Sequence, residues 1–289
     1  VVGGNLYFGQ GGLGAVSYDD VNVTGRLDRA SYEEWDNFFE NMDRSSDISL
    51  ESEMSATLDS INLTVGLLDI YSFQMSETRL NIERVDSGWK TEIENRNVVG
   101  SVISPDDDQL PLSVNLEHMK FFEEDSSGDV DPFGDVLPQE MLAIDFSTRE
   151  LEIEGEDYGS WSFNFRPNPE GGTFENLIAS VKGMNIEEPS SAVWKTIDGV
   201  HSSTFSGLVT TQDLGSMLEQ WGYASSIEGD DFKFLTKLSW AGSPAMVDMD
   251  YVEGSLQIEG KKGRFVQAET GTATLKLLGI FDFNKLGRR

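Results

Sequence analysis

Cysteine is absent from this chain of 289 residues, so disulfides and thiolate metal sites are both excluded. That absence is compatible with an oxidising compartment and does not identify one. Histidine occurs twice, as His118 and His201, which excludes a multi-histidine metal centre. Basic residues are scarce: 21 Lys and Arg stand against 51 Asp and Glu, a formal net charge of -30. Nucleic-acid binding depends on neutralising phosphates with Lys and Arg, so no nucleic-acid partner is expected, and an anionic membrane surface would repel most of the chain. No apolar run approaches the roughly 18 to 20 residues that cross a bilayer. No signal peptide is visible at the start and the chain opens on Val1 without Met, so it reads as a piece of a longer protein whose targeting segment lies outside it.

The common catalytic constellations are missing too. There is no H-E-x-x-H and no G-x-S-x-G. His201 and Ser202 are adjacent, and neighbours on a strand point to opposite faces, which separates them as base and nucleophile. Gly9-Gln10-Gly11-Gly12-Leu13-Gly14 has the spacing G-x-G-x-x-G, but the dinucleotide fingerprint must open a helix after a strand. Val21 and Val23 alternate downstream with little helical periodicity, so the stretch reads as a glycine-rich hairpin turn. Two acidic loops follow, Asp106 to Asp108 and Glu123 to Asp131. The second could offer Asp125, Asp129 and Asp131 to Ca²⁺, yet Val130 stands where an EF-hand loop needs Gly, and a solvated loop is the reading. The expectation is a protein that is not an enzyme and carries no cofactor and no metal. Carboxylate pairs for glycoside chemistry stay open, because Asp and Glu are too many to locate by spacing.

What is present is alternation. Phe232, Phe234, Leu238 and Trp240 interleave with Lys233, Lys237 and Ser239, the period of a strand with one apolar and one wet face. Similar runs occur around Leu58 to Val65, Arg79 to Val85, Trp89 to Ile93, Leu112 to Leu116, Leu142 to Phe146, Leu151 to Ile153, Trp161 to Phe165 and Phe174 to Val181. Gly, Pro, Asn and Asp separate them, which predicts a long antiparallel meander of hairpins. Two helices interrupt it. Ser31 and Glu34 form a capping box ahead of Trp35, Phe38, Phe39 and Met42; Thr210 and Asp213 precede Leu214, Met217, Leu218 and Trp221, with Gly222 placed to end the turn. Gly25-Arg26-Leu27 and Gly207-Leu208-Val209 lead into them, an internal echo of two strand-to-helix units.

The C-terminal stretch carries a family resemblance. Leu238-Ser239-Trp240-Ala241-Gly242-Ser243-Pro244, Gly254-Ser255-Leu256-Gln257-Ile258, Gly271 and Leu277 to Arg289 are similar to the C-terminal region of AsmA-like envelope proteins of the YhdP type. Gly207 to Gly215 and Gly222-Tyr223 fit the same pattern, so residues 205–289 form a signature region within a single continuous β segment, 1–289. The resemblance is looser across Leu110 to Trp194. It implies a mainly β fold: a long, strongly curved antiparallel sheet forming an apolar groove, with two or three short amphipathic helices. It also implies an inner-membrane-anchored protein in the periplasm, its anchor absent from this chain, that moves phospholipid towards the outer membrane. Partners implied are phospholipid and membrane or envelope proteins at the ends of the full chain. Family members continue past the double arginine.

A groove of this kind needs no residue-specific chemistry. A ~16-carbon tail leaving water gains on the order of 12 kcal/mol at about 0.8 kcal/mol per CH₂. The expected lining is Leu112, Val114, Leu116, Ile144, Phe146, Trp161, Phe163, Phe165, Phe232, Phe234, Leu238 and Trp240, with Leu277 to Leu286 as a short helical plug. Periodicity alone favours an ordinary closed sandwich core, that of an envelope scaffold that carries nothing, and only the resemblance turns the reading to a groove. An enzyme on surface polysaccharide would rest only on the abundant carboxylates and aromatics.

Overall fold

The computed structural model describes residues 4–9, 21–31, 58–70, 73–107, 109–121, 131, 133–153, 155–223, 225, 227–247 and 252–265. The capping-box helix from Ser31, the acidic stretch 123–130 and the plug from Leu277 fall outside them, apart from Ser31 itself. The described residues form fifteen strands of a mixed sheet, and all but the short strand Glu156–Asp157 follow one another in it in chain order. By contacts the chain divides into two compact units, residues 1–136 with 141–155 and residues 137–140 with 156–289.

The first unit contains β1 (Gly4–Phe8), β2 (Val21–Ser31), β3 (Leu58–Ile70), β4 (Phe73–Val85), β5 (Gly88–Glu94), β6 (Val98–Pro105), β7 (Leu112–Phe121) and β8 (Ile144–Ile153). From β3 to β7 the strands are an antiparallel meander, as the alternation predicts. Asn95 sets one turn: its side-chain oxygen accepts the N–H groups of Asn97 and Val98 at 2.7 Å each, and its amide donates to Thr78 Oγ1 at 2.9 Å.

The all-antiparallel expectation fails at three places. β1 with β2, β2 with β3 and β7 with β8 are parallel. The connections there are residues 9–20, 32–57 and 122–143, long enough to carry the chain back before the next strand starts in the same direction. Of the stretch Gly9 to Gly14, read as a hairpin turn, only Gly9 is among the described residues. The separate runs Leu142–Phe146 and Leu151–Ile153 are also one strand, β8, which starts at Ile144.

The second unit contains a 3₁₀ turn (Pro138–Glu140), β9 (Glu156–Asp157), β10 (Ser160–Asn168), β11 (Gly171–Val181), β12 (Met184–Ile197), β13 (Val200–Asp213), α1 (Leu214–Gln220), β14 (Ile227–Ala241) and β15 (Glu253–Phe265). β10 to β15 pair antiparallel in order. The turns Lys182-Gly183 and Asp198-Gly199 both use positive φ at each central residue (43° and 78°, 52° and 77°), the hairpin geometry that matches strand twist. Helix α1 is where the sequence places it. Asp213 accepts from Ser216 N at 3.1 Å as N-cap, and Gly222 at φ 77° closes the C-terminal end, where Tyr223 N reaches Leu218 O at 2.8 Å. It is the only α-helix among the described residues, so the expectation of two or three rests here on one. It is seven residues long and far too short to cross a membrane.

Candidate functional site: one apolar sheet face in each unit

Registered pairs in a sheet share a face, so the ladders say which side chains stand together. In the first unit Ile61 pairs with Ile82, Ile82 with Thr91, Thr91 with Val102, Val102 with Val114 and Val114 with Phe146. One row along, Leu63, Leu80 and Ile93 lead through Gly100 to Leu116, and Leu112 pairs with Ile144. The five expected lining residues of this unit, Leu112, Val114, Leu116, Ile144 and Phe146, thus occupy one face, and β3 to β6 extend that face with aliphatic side chains. Val65 and Leu116 are buried; Leu63, Leu80, Ile82, Val102, Val114, Ile144 and Phe146 are half-buried. Leu6 and Phe8, paired with Val23 and Gly25, are exposed.

The opposite face is charged. Arg79 meets Glu94 at 2.5 Å, Lys90 meets Glu92 at 2.6 Å and Glu83 at 3.5 Å, and Asn81 donates to Glu92 at 3.2 Å, each across a registered pair or its neighbour. Arg26 crosses Gly66 to pair with Glu77 at 2.6 Å. The hydrogen bond and field of Arg26 hold the Glu77 carboxyl below the usual carboxylate range, and Lys90 does the same to Glu92. All of these groups are solvent-exposed, so the pairs set register and solubility more than stability.

The second unit repeats the division. Trp161 pairs with Ala179, Phe165 with Phe174, Phe174 with Ala192, Ala192 with Phe205 and Phe205 with Leu238. Gly172 leads through Trp194 and Ser203 to Trp240, while Val209 leads through Phe234 to Ile258. Trp161, Phe163, Phe165, Phe232, Phe234, Leu238 and Trp240 therefore also share a face. Phe174 is the centre of an aromatic group, 5.1 Å edge-on to Phe163 and 5.0 Å from Phe165. The reverse face carries Thr204 against Ser239, Thr210 against Glu187 and Asn176 against Asn164.

Accessibility differs along this second face. Phe232 and Phe234, each 8% exposed, are the floor of a core closed by Leu214 and Leu218 of α1. Phe165, 1% exposed, lies over Gly172. Trp161, Phe163, Leu238 and Trp240 are half-buried. The residues that sequence reasoning left out, Phe174, Leu177, Trp194 and Phe205 among them, alternate as clearly as those it chose. An extra residue in β11 and an irregularity in β12 between Glu187 and Ser191 break the period before it can be followed across the strands.

Two other polar groups, His201 and Lys182, are held by neighbours in the second unit. His201, 8% exposed, accepts the indole N–H of Trp194 at Nδ1, 3.0 Å away, with Thr196 Oγ1 at 3.1 Å. That hydrogen bond requires an unprotonated Nδ1. Lys182 pairs with Glu156 and stands 4.2 Å from the Tyr158 ring centroid and 5.3 Å from that of Trp221. Burial pushes its ammonium down, but the carboxylate and the phenol outweigh this and hold it above the usual lysine value. Among the described residues no group of three or more His, Asp or Glu is placed to hold a metal.

All the described strands belong to one sheet, and in the second unit α1 lies against β13 and β14 and the 3₁₀ turn against β10, β11 and β12. What the arrangement can do chemically is offer a wide, half-covered apolar surface backed by a charged one. A family model described as YhdP protein matches residues 2–289. No curated protein and no solved structure matches the chain.

Proposed function

We propose a function from one premise, that this chain belongs to the YhdP family of AsmA-like envelope proteins: it is a segment along which phospholipid acyl chains travel, towards the outer membrane, on an apolar groove of the sheet. The observation that carries the reading is the partition of faces. Leu63, Leu80, Ile82, Val102 and Val114 are apolar, lie on one side of the sheet and stay half-buried. A sandwich core would be closed by a facing sheet about 10 Å away. An acyl chain lying on that face would add apolar contact and needs no catalytic group, so no chemical step is assigned.

On this reading the chain works in the periplasm, joined to the inner membrane through a segment outside the given sequence, with membrane or envelope proteins at the ends of the full protein. The scaffold reading has one observation in its favour: α1 closes the Phe232–Phe234 part of the second face into an ordinary core.

The test is lipid content. Native mass spectrometry of the 289-residue chain purified from a Gram-negative envelope should find bound phospholipid. Phe146→Asp, which sets a charge amid the apolar face, should remove it, whereas Asn115→Asp, on the reverse face of the neighbouring strand, should not. A lipid-free wild-type chain refutes the proposal.

A further inference from the structure

In the rows of the first unit's apolar face that contain Ile61, Leu63, Ile82, Val102, Val114 and Phe146, the β4–β5 end carries a charged residue, Arg84. It sits at a strand end, paired with Trp89 across the β4–β5 turn, with its guanidinium 5.3 Å from the Trp89 ring centroid. Both of its terminal nitrogens donate to Asp106, which follows β6, at 2.6 and 2.5 Å. The side chains are 35% and 49% exposed, so the pair is open to solvent at the edge of the apolar face. The reverse face holds at least four other exposed ion pairs, each among charged and amide neighbours. Arg84–Asp106 stands where aliphatic surface and water meet.

We propose, resting on the reading that acyl chains occupy this face, that Arg84, Trp89 and Asp106 form a headgroup site that selects zwitterionic phospholipids with a primary ammonium. The chemistry is complementary in both halves. A planar guanidinium matches a phosphate oxygen pair, and its stacking on indole holds the plane in place. Once Arg84 turns to the phosphate, Asp106 accepts the N–H groups of the headgroup ammonium, so both charges of the internal pair are replaced. A headgroup with net negative charge would leave Asp106 facing it uncompensated, on a protein already carrying -30.

The 289-residue chain is incubated with vesicles of equimolar phosphatidylethanolamine, phosphatidylcholine and phosphatidylglycerol, re-isolated, and its bound lipid quantified. Wild type is expected to be enriched in phosphatidylethanolamine over phosphatidylglycerol. Asp106→Asn should shift that ratio towards phosphatidylglycerol by about two- to fivefold, the scale of one exposed charge pair, and Arg84→Gln should flatten the preference. Glu94→Gln removes a matched charge from the reverse face and should leave the ratio unchanged. Bound lipid with the same ratio in wild type and Asp106→Asn, or an equal shift in Glu94→Gln, overturns the headgroup site and leaves acyl-chain transport standing. No bound lipid in any variant overturns both.

Discussion

Gly172→Ala should destabilise the second unit, although the backbone there accepts alanine. Its φ lies outside the left-handed region, so replacing glycine would ordinarily stabilise by about 0.4–1 kcal/mol through the unfolded chain. The ring of Phe165 reverses the sign. A Cβ on Gly172 would stand 2.3 Å from both Cε2 and Cζ of Phe165, a ring that is 1% exposed and packed on Phe174. Overpacking of this kind costs about 1–3 kcal/mol. The net loss is then about 0.5–2 kcal/mol, and with a urea m-value of about 2 kcal/mol/M the midpoint falls by roughly 0.25–1 M. Equilibrium urea unfolding, followed by tryptophan fluorescence and circular dichroism together, measures it. The decisive comparison is a cycle with Phe165→Ala, which by itself costs about 3–5 kcal/mol. Without the ring, Gly172→Ala should be neutral or stabilising. An equal penalty in both backgrounds would mean that the ring over the glycine is not the cause.

Asp213→Ala removes the N-cap of α1 and should cost about 1 kcal/mol, seen as faster amide exchange over residues 214–220 and weaker protection of Phe232 and Phe234. Glu94→Gln, by contrast, breaks an exposed pair with Arg79 and should change stability by no more than about 0.5 kcal/mol in thermal unfolding. Acid should weaken the fold gradually: Glu77, Glu92 and Glu170 are held below the usual carboxylate range by Arg26, Lys90 and Lys195. Their contribution is complete above the unfolded carboxylate value and is lost as pH falls through the lower folded values. Urea midpoints measured downwards from neutral pH should therefore decline on the acid side, with a smaller decline in a Glu77→Gln, Glu92→Gln, Glu170→Gln variant.

The strands were legible because alternation is a local property. Leu112, Val114 and Leu116 announce a two-sided strand without reference to any neighbour, and Asp213 with Gly222 brackets α1 in the same local way. Strand direction is not local. Whether β8 runs parallel or antiparallel to β7 depends on the path of residues 122–143, and nothing in Ile144 to Ile153 encodes it. The occupant of an apolar position is not local either. Phe232 and Leu238 belong to one alternating run, yet the first lies under Leu214 and Leu218 while the second stays half-buried, because a seven-residue helix reaches only one end of the strand.

The irregular positions explain how the apolar faces survive chain lengths that do not match. In β11, Gly172 and Phe174 occupy even positions of the apolar face, and Leu177 and Ala179 occupy odd ones. Asn176, at φ 49°, is the extra residue between them, and the register against both β10 and β12 shifts there by one. Without such a bulge the alternation would carry Leu177 and Ala179 to the side of Glu175, and Ser180 to the side of Phe174. Two extra residues between Glu187 and Ser191 in β12 keep Ile186 and Ala192 on the same face without changing parity. A chain with 51 acidic residues has little margin for such slips. A carboxylate turned onto the apolar face would lose part of its hydration, and the β11 bulge, which changes parity, keeps Glu175 on the other side from Phe174 and Leu177.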